Sequence, residues 1–204
     1  MGRLALRYTK GKLMTESDKI MITQFIKKLV SFLVDSLETI AFVGSIYIVV
    51  YLYFFFPTQV VGASMEPTFD SGDKVIISRI SYKLHTPERS DVIAFKSPRN
   101  PDIDYFKRVI GLPGDKLLFK NKRIYLNWNL LDESYISAST NVWQNGFVKE
   151  GEEVIVPDEY IFVMGDNRPR SSDSREFGFI PVTSIEGKAI FRFFPPDKVG
   201  IIEL

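Results

Sequence analysis

The strongest constraint on how this chain folds is an apolar run near its N-terminus. No charged residue occurs from Thr39 to Met65, and Ile40–Phe56 reads IAFVGSIYIVVYLYFFF. A helix of about 17 residues is about 26 Å long, close to the roughly 30 Å thickness of a bilayer's hydrocarbon core. Aromatic residues crowd the second half of the run, as is typical of a membrane–water boundary. We therefore predict a transmembrane anchor at residues 39–57, with Pro57 ending the helix.

A cleaved signal peptide and a buried core helix are the alternatives. A signal peptide has a short charged leader and an apolar stretch of about 7 to 15 residues, whereas this run is longer and is preceded by residues 1–38. A core helix of this length would normally carry a polar stripe, and none is visible here. An uncleaved anchor is the favoured interpretation.

Residues 1–38 precede the anchor and are expected to include an amphipathic helix. Apolar residues recur at helical spacing from Ile22 to Leu37, with charged residues on the other side. A helix packed on a soluble domain would show the same pattern. The segment holds 7 Lys or Arg against 4 Asp or Glu, and no Lys or Arg occurs between Lys28 and Lys74. The positive-inside tendency predicts a cytoplasmic N-terminus, with residues 58–204 on the extracytoplasmic side.

The part of the chain after Pro57 is predicted to be mostly β. Short β-branched or aromatic runs alternate with turn signals such as Pro113-Gly114-Asp115. The predicted strands are Val75–Ser78, Val92–Phe95, Leu117–Phe119, Arg123–Leu126, Glu153–Val156, Tyr160–Met164 and Ala189–Phe194. Patterning is weaker from 127 to 151, where we expect a small inserted subdomain or lid. The expected fold class is an antiparallel β-sheet domain preceded by one transmembrane helix.

Composition excludes several kinds of site. With no Cys, the chain has no disulfide, thiolate metal site or cysteine nucleophile, and its one His cannot form a histidine metal cluster. The 26 Lys plus Arg nearly balance the 25 Asp plus Glu, so nucleic-acid binding is not predicted. We expect neither a metal nor a cofactor.

Metal-free peptide hydrolysis needs a nucleophile, a base and donors for the oxyanion. His85 lies in a polar loop and is expected to be solvated, which leaves lysine as the base for a serine. A free lysine has a pKa of about 10.4, and lowering it to about 8 requires roughly 3.3 kcal/mol in favour of the neutral amine. Lys107 lies within an apolar strand, where burial would have this effect. Its alternative is a strand-edge cation whose ammonium reaches water.

Two further segments carry polar chemistry. Ser64 follows Gly62-Ala63, small residues that would let a substrate strand approach, and Pro67 stiffens the turn behind it. The polar segment Met164–Arg175 follows an apolar strand. Its short side chains would form either a buried network or a solvated loop.

Together these segments resemble the type I signal peptidases, membrane-bound Ser–Lys proteases that remove signal peptides from exported proteins. The resemblance extends from the anchor to the C-terminus. It is carried by Ser64-Met65 with Pro67-Thr68, Lys107-Arg108-Val109-Ile110-Gly111 with Pro113-Gly114-Asp115, and Gly165-Asp166-Asn167-Arg168 with Ser171, Asp173-Ser174-Arg175 and Gly178.

The resemblance implies a role for each matching residue. Ser64 would be the nucleophile and Lys107 the general base, and Ser171 would orient the lysine by a hydrogen bond. Some family members have a serine at the position of Gly62 that joins the oxyanion hole, so here the hole would depend on backbone donors. The remaining matches are charged residues with a scaffold role, Asp173 pairing with both Arg175 and Arg108.

The resemblance also implies the substrates, which would be exported preproteins cut after A-x-A sites at the outer membrane surface. Two alternatives remain. A self-cleaving regulator with a related β domain would carry a DNA-binding segment where this chain has its apolar run. A catalytically silent, membrane-tethered β module that binds a partner protein would be expected to lack Ser64 or Lys107, and both are present.

Overall fold

The computed structural model describes residues 15–100 and 102–202. The chain divides into two compact units, Met1–Val50 and Tyr51–Leu204. The first unit contains most of one long helix, and the second contains the sheets. Residues 1–14, part of the predicted N-terminal segment, lie outside the described residues.

Helix α1 runs without a break from Glu16 to Phe54. It begins at a capping box in which the Asp18 N–H donates to Thr15 Oγ1 (3.2 Å) and the Thr15 N–H donates to the Asp18 carboxylate (3.1 Å). No side chain of α1 is buried, and in the described part of the chain it alone is long and apolar enough to cross a membrane. The amphipathic stretch and the apolar run therefore form one helix.

The predicted end of this helix is wrong by three residues. α1 ends at Phe54, and Pro57 lies in strand β1 (Phe55–Gln59), opposite Ile76. β1 is an edge strand, where a residue without an N–H is tolerated because one side of the strand needs no ladder hydrogen bond. The chain thus enters the sheet directly from the helix.

The remaining elements are short. After β1 the strands are β2 (Lys74–Ser78), β3 (Val92–Lys96), β4 (Asp104–Gly111), β5 (Lys116–Lys120), β6 (Arg123–Leu126), β7 (Asn129–Leu130), β8 (Glu153–Ile155), β9 (Tyr160–Met164), β10 (Ile180–Pro181), β11 (Ile185–Phe194) and β12 (Gly200–Ile201). The helices are α2 (Ser81–Leu84), α3 (Ser174–Phe177) and single 3₁₀ turns at Arg168–Arg170, Val182–Ser184 and Pro196–Lys198.

Two antiparallel sheets form the second unit. The larger has the order β1-β2-β11-β3-β4-β9-β10, with β12 paired to β11, and the smaller has the order β7-β6-β5-β8. The strands predicted at Arg123–Leu126 and Tyr160–Met164 match the observed bounds, and the other five overlap observed strands. The expected fold class, a mostly antiparallel β domain behind one long helix, is confirmed.

The core sits under the larger sheet and fixes its loops. One cluster joins Val60, Met65 and Phe69 to residues of β2, β3 and β11. Met65 and Phe69 have no exposed surface. Burying an apolar side chain of this size contributes about 1.5 to 3 kcal/mol. The turn that contains Ser64 is therefore anchored on both sides by core residues.

Candidate active site

Ser64 lies in the turn between β1 and β2. The Phe69 N–H donates to the Met65 carbonyl (2.8 Å), and the Val60 N–H donates to the Asp73 carbonyl (2.8 Å), which closes the loop at its base. The Ser64 N–H makes no hydrogen bond to any described residue. The turn therefore presents a hydroxyl and a free backbone donor on one side.

Lys107 is buried within β4, opposite Ile93 of β3. Its side chain is 3 % exposed, and its Nζ lies 2.9 Å from Ser64 Oγ and 2.9 Å from the Phe106 carbonyl, to which it donates. The Tyr105 ring lies 4.9 Å from the same nitrogen. The structure thus brings together two of the predicted site residues and excludes the alternative of an exposed ammonium.

The surroundings of Lys107 lower its pKa to about 8, below the ordinary value of 10.5. Burial is the largest cause, because it penalises the charged ammonium. Asp173 and Asp166 act in the opposite direction, and Arg175 adds to the lowering. A substantial fraction of Lys107 is therefore neutral near pH 8 and able to accept a proton.

The segment that follows β9 holds Ser64 from behind. The Asn167 N–H donates to the Ser64 carbonyl (3.0 Å), and the Asn167 side chain donates to Glu66 (3.2 Å). A Cβ on Gly165 would lie 2.4 Å from the Ser64 carbonyl oxygen and 2.2 Å from Ser171 Oγ. Since real Cβ atoms essentially never approach so closely, the packing requires glycine at this position.

The predicted partner of Arg108 is wrong. Arg108 makes a two-pronged ion pair with Asp166, at 2.9 and 2.7 Å, and both side chains are buried. Asp166 also accepts from the Thr68 hydroxyl (2.5 Å), which ties the pair to the Ser64 turn. The β4–β9 register sets this choice, because it pairs Arg108 with Met164, two residues before Asp166. Sequence reasoning quoted Asp166 as part of a motif but missed its role.

Asp173 forms an ion pair with Arg175, as predicted, but not with Arg108. Two guanidinium nitrogens donate to the two carboxylate oxygens at 2.8 Å each, and neither side chain is exposed. Asp173 also caps helix α3 and accepts from the Gly165 N–H (3.1 Å). Its carboxylate is therefore a scaffold for the turn that supports Ser64.

Ser171 does not make the predicted hydrogen bond to Lys107. Its Oγ is buried beside Gly165 and has no hydrogen-bond partner among the described residues. Lys107 instead contacts Ser64 and the Phe106 carbonyl. These two acceptors belong to the Ser64 turn and to β4, the strand that carries Lys107. The orienting role of Ser171 stays a prediction.

Residues 132–147, named here the strap, lie over the buried arginines of this network. Glu133 and Thr140 both accept hydrogen bonds from the Arg168 guanidinium, which also donates to the Gly165 carbonyl (3.0 Å). Arg168 is 1 % exposed. The strap thus supplies the carboxylate that this buried cation requires.

The strap also covers the other two arginines. The Tyr135 ring lies 4.2 Å from the Arg108 guanidinium, and the Trp143 ring lies 4.5 Å from that of Arg175. Arg175 donates to the Asn141 carbonyl (2.8 Å) as well. Sequence reasoning missed these contacts, because nothing in the pattern of 127–151 distinguishes a packed irregular segment from an open loop.

A cavity of about 280 Å³ adjoins the reactive pair. It is lined by Val60–Ser64 on one side, by Ile103–Lys107 on the other, and by Arg170 and Ser172. β9 pairs with β4 only from Arg108 onwards, so the preceding half of β4 has a free edge at this cavity. The same cavity therefore borders both the part of β4 that β9 leaves unpaired and the turn that contains Ser64.

Gly62 and His85 lie in different places. Gly62 lines the cavity with φ +90°, its N–H donates to Ser71 Oγ (3.1 Å), and open space surrounds the position of a Cβ. His85 ends helix α2 and lines a separate depression with Tyr82 and Lys188. Lys107, and not His85, therefore contacts the Ser64 hydroxyl.

Comparisons with known proteins match one family. Residues 33–194 match the family model described as signal peptidase, peptidase S26. The chain is 41 % identical to signal peptidase I of Bacillus caldolyticus over 151 residues, covering 71 % of this chain and 82 % of that protein. It is 37 % identical to signal peptidase IB of Staphylococcus aureus over 150 residues, covering 68 % and 78 %.

In two further comparisons, the match covers a smaller share of one of the two proteins compared. The probable signal peptidase I-2 of Synechocystis is 39 % identical over 145 residues, which cover 69 % of this chain and 63 % of that protein. The chain thus spans less than two thirds of that relative. A crystal structure of a signal peptidase I from Enterococcus faecalis is 40 % identical, covers 51 % of this chain and 97 % of that one, and has a TM-score of 0.43.

Proposed function

This chain belongs to the signal peptidase family, peptidase S26, and we propose that it is a signal peptidase I that removes signal peptides from exported preproteins with a Ser64–Lys107 dyad. One observation carries the proposal. A lysine that is 3 % exposed holds its Nζ 2.9 Å from a serine hydroxyl, at the edge of a cavity open to a peptide. Neither reactive group requires a metal or a cofactor.

The reaction follows from this contact. Neutral Lys107 accepts the Ser64 proton while Oγ attacks the scissile carbonyl carbon, and the carbonyl oxygen becomes an oxyanion facing the free Ser64 N–H. The resulting ammonium returns its proton to the leaving amine as the C–N bond breaks, leaving an ester on Ser64. Lys107 then takes a proton from water, whose oxygen attacks the ester carbon, and returns a proton to Ser64 Oγ.

Specificity for A-x-A sites is consistent with the size of the cavity. A volume of about 280 Å³ that several substrate positions had to share would leave no room for large side chains at the first and third residues before the cut. The free edge of β4 would hold the substrate backbone by strand pairing. Alternate residues of an extended peptide point the same way, which explains why the first and third positions are restricted together.

We place the enzyme in the cytoplasmic membrane as a single-pass protein. α1 carries the apolar run, and the excess of Lys and Arg before it favours a cytoplasmic N-terminus. The catalytic domain then lies on the extracytoplasmic face, where the preproteins emerge. Exposed Phe193 and Phe194 on β11 would contact the bilayer surface together with the aromatic end of α1. The partners are thus preproteins and lipid, and no nucleic acid is proposed.

The network behind the dyad acts as a scaffold in this proposal. Arg108, Asp173 and Arg175 keep their charges paired while they hold the Gly165–Asn167 turn against Ser64. The strap, within the predicted insertion at 127–151, would keep the same arginines dry. A catalytically silent tethered module is not supported, since the nucleophile and base are both present and in contact.

The test is cleavage of a preprotein with an A-x-A site by the full chain in detergent, with the cut bond located by mass spectrometry. Ser64→Ala and Lys107→Ala should each abolish the cut, whereas Lys120→Ala, an exposed lysine on β5, should cut like the parent. Parental cleavage by folded Lys107→Ala would refute the dyad.

A further inference from the structure

Two cations lie beside the C-terminal end of α1 without a counter-ion. Arg79 follows β2, and Lys83 lies in α2. Both are exposed, and neither forms an ion pair or a side-chain hydrogen bond within residues 15–100 and 102–202. Neighbouring cations behave differently, since Arg89 pairs with Asp115 and Lys188 with Asp91. The donors of Arg79 and Lys83 are thus left for an outside group.

Aromatic rings hold both cations in place. The Arg79 guanidinium lies 4.3 Å from the Phe56 ring centroid, and the backbone N–H of Arg79 donates to the Phe54 carbonyl (2.8 Å). Lys83 Nζ lies 4.8 Å from the Tyr53 ring and 5.9 Å from the Phe54 ring. All of these rings belong to the last residues of α1 or the first of β1. The cations are therefore fixed at the level where the helix ends.

The chemistry around them is that of a membrane boundary. Tyr53 is 61 % exposed and Leu84, next to Lys83, is 70 % exposed. Aromatic rings and basic residues with apolar neighbours are the side chains that favour the headgroup region of a bilayer. A purely structural explanation also exists, because α1 has no basic residue in its last turn and a nearby cation complements the negative end of its dipole. That role leaves the N–H groups of both side chains unused.

We propose that Arg79 and Lys83 bind the phosphate of an anionic phospholipid in the leaflet on the catalytic-domain side, with Tyr53, Phe54 and Phe56 as the walls of the site. The proposal rests on the membrane anchoring proposed above and is independent of the dyad. A lipid fits better than free phosphate, because the rings and Leu84 offer contact to the glycerol and upper acyl chain. The bound headgroup would hold the catalytic domain at a constant height above the bilayer.

The experiment measures lipid binding to the intact chain. Dioleoyl-phosphatidylglycerol and dioleoyl-phosphatidylcholine are titrated into detergent-solubilised protein, and bound lipid is counted by native mass spectrometry. A basic residue near an anionic surface contributes about 1 kcal/mol, so Arg79→Gln with Lys83→Gln should raise the Kd for phosphatidylglycerol about thirtyfold. Binding of phosphatidylcholine should not change. Arg79→Lys should retain most of the affinity, because it keeps the charge.

A matched pair of cations provides the control. Lys120 and Lys122 are exposed and lack ion pairs in the described part of the chain. Lys120 ends β5 of the smaller sheet, and Lys122 lies in the turn before β6. Lys120→Gln with Lys122→Gln should bind phosphatidylglycerol like the parent. An equal loss of affinity in this control variant would mean that net charge, and not a specific site, binds the lipid, which would overturn the proposal. Parental affinity in Arg79→Gln with Lys83→Gln would also overturn it.

Two further arms separate the sources of failure. Displacement of the lipid by millimolar inorganic phosphate or glycerol phosphate would show a free-phosphate site and refute the lipid. Cleavage of a soluble peptide in lipid-free detergent should be unchanged in the Arg79 and Lys83 variants. Ser64→Ala should lose cleavage and keep lipid binding, so that failure of the dyad and failure of the lipid site remain distinguishable.

Discussion

The acidic limb of the pH–rate profile should belong to Lys107. Burial lowers its pKa to about 8, and only the neutral amine can accept the Ser64 proton. The neutral fraction is then about one half at pH 8, about one tenth at pH 7 and about one hundredth at pH 6. Because kcat/KM reports the free enzyme, it should rise about tenfold per pH unit up to the pKa of Lys107 and level off about one pH unit above that pKa.

The assay uses an A-x-A peptide with no group that titrates between pH 5.5 and 10, so that the profile reports the enzyme alone. Full-length protein is kept in one detergent at constant ionic strength, and initial rates are measured at substrate concentrations far below KM. His85→Gln serves as the control variant, since it removes the one imidazole of the chain, which lies outside the cavity. Its profile should coincide with that of the parent.

Two outcomes would refute this reasoning. A limb near pH 10.4, the value of a solvated lysine, would mean that Lys107 is hydrated and that its burial does not persist in solution. A limb at lower pH that disappears in His85→Gln would assign the base to the imidazole. Either result would remove the structural argument for a Ser–Lys dyad.

Three further predictions concern the scaffold. Lys107→Met should raise the free energy of unfolding by up to about 3 kcal/mol at neutral pH, as measured by urea titration in detergent. The pKa of Lys107 in the folded protein, about 8, lies below the ordinary 10.5, so at neutral pH the folded parent bears the cost of a buried ammonium. The gain in stability should shrink as the pH rises from about 8 to 10.5 and should vanish above that range. Glu133→Gln should cost about 3 kcal/mol in the same titration, because Arg168 would keep its charge without a carboxylate. Gly165→Ala should lower kcat at least tenfold in the peptide assay with little change in KM. The added Cβ would lie 2.4 Å from the Ser64 carbonyl oxygen, which is too close, so the Ser64 turn would have to move.

Matched substitutions test each of these. Lys120→Met and Glu152→Gln alter exposed residues that form no ion pair in the described part of the chain, and a Cβ on Gly200 would meet no atom within 4 Å, so Gly200→Ala adds no clash. All three variants should behave like the parent. A larger stability gain of Lys107→Met over the parent at pH 11 than at pH 7 would contradict the sign of the linkage. Unchanged stability of Glu133→Gln would mean that the strap is held by packing alone. Parental kcat in Gly165→Ala would show that the Ser64 turn tolerates displacement.

Local patterns were enough to identify most of the elements. Uninterrupted apolarity predicts α1, and alternation with turn residues predicts strands such as Arg123–Leu126 and Tyr160–Met164 at their observed bounds. These signals are readable because each arises within a few neighbouring residues. The error at Pro57 shows the limit of local reasoning. A proline predicts the end of a helix, but only its place at the sheet edge explains why it can lie in a strand.

The sequence by itself determined which groups are candidates for the chemistry, because the absence of Cys and the single His favour a serine with a lysine base, and the motifs around Ser64 and Lys107 resemble those of one family. Only the tertiary structure decided their relation. The two residues are 43 positions apart, and sheet packing both buries Lys107 and brings its Nζ to 2.9 Å from the hydroxyl. Partner choice is equally non-local, since Arg108 pairs with Asp166, 58 positions away, through the register of β4 and β9. Burial and contact distance are properties of packed surfaces, so residue order alone does not specify them.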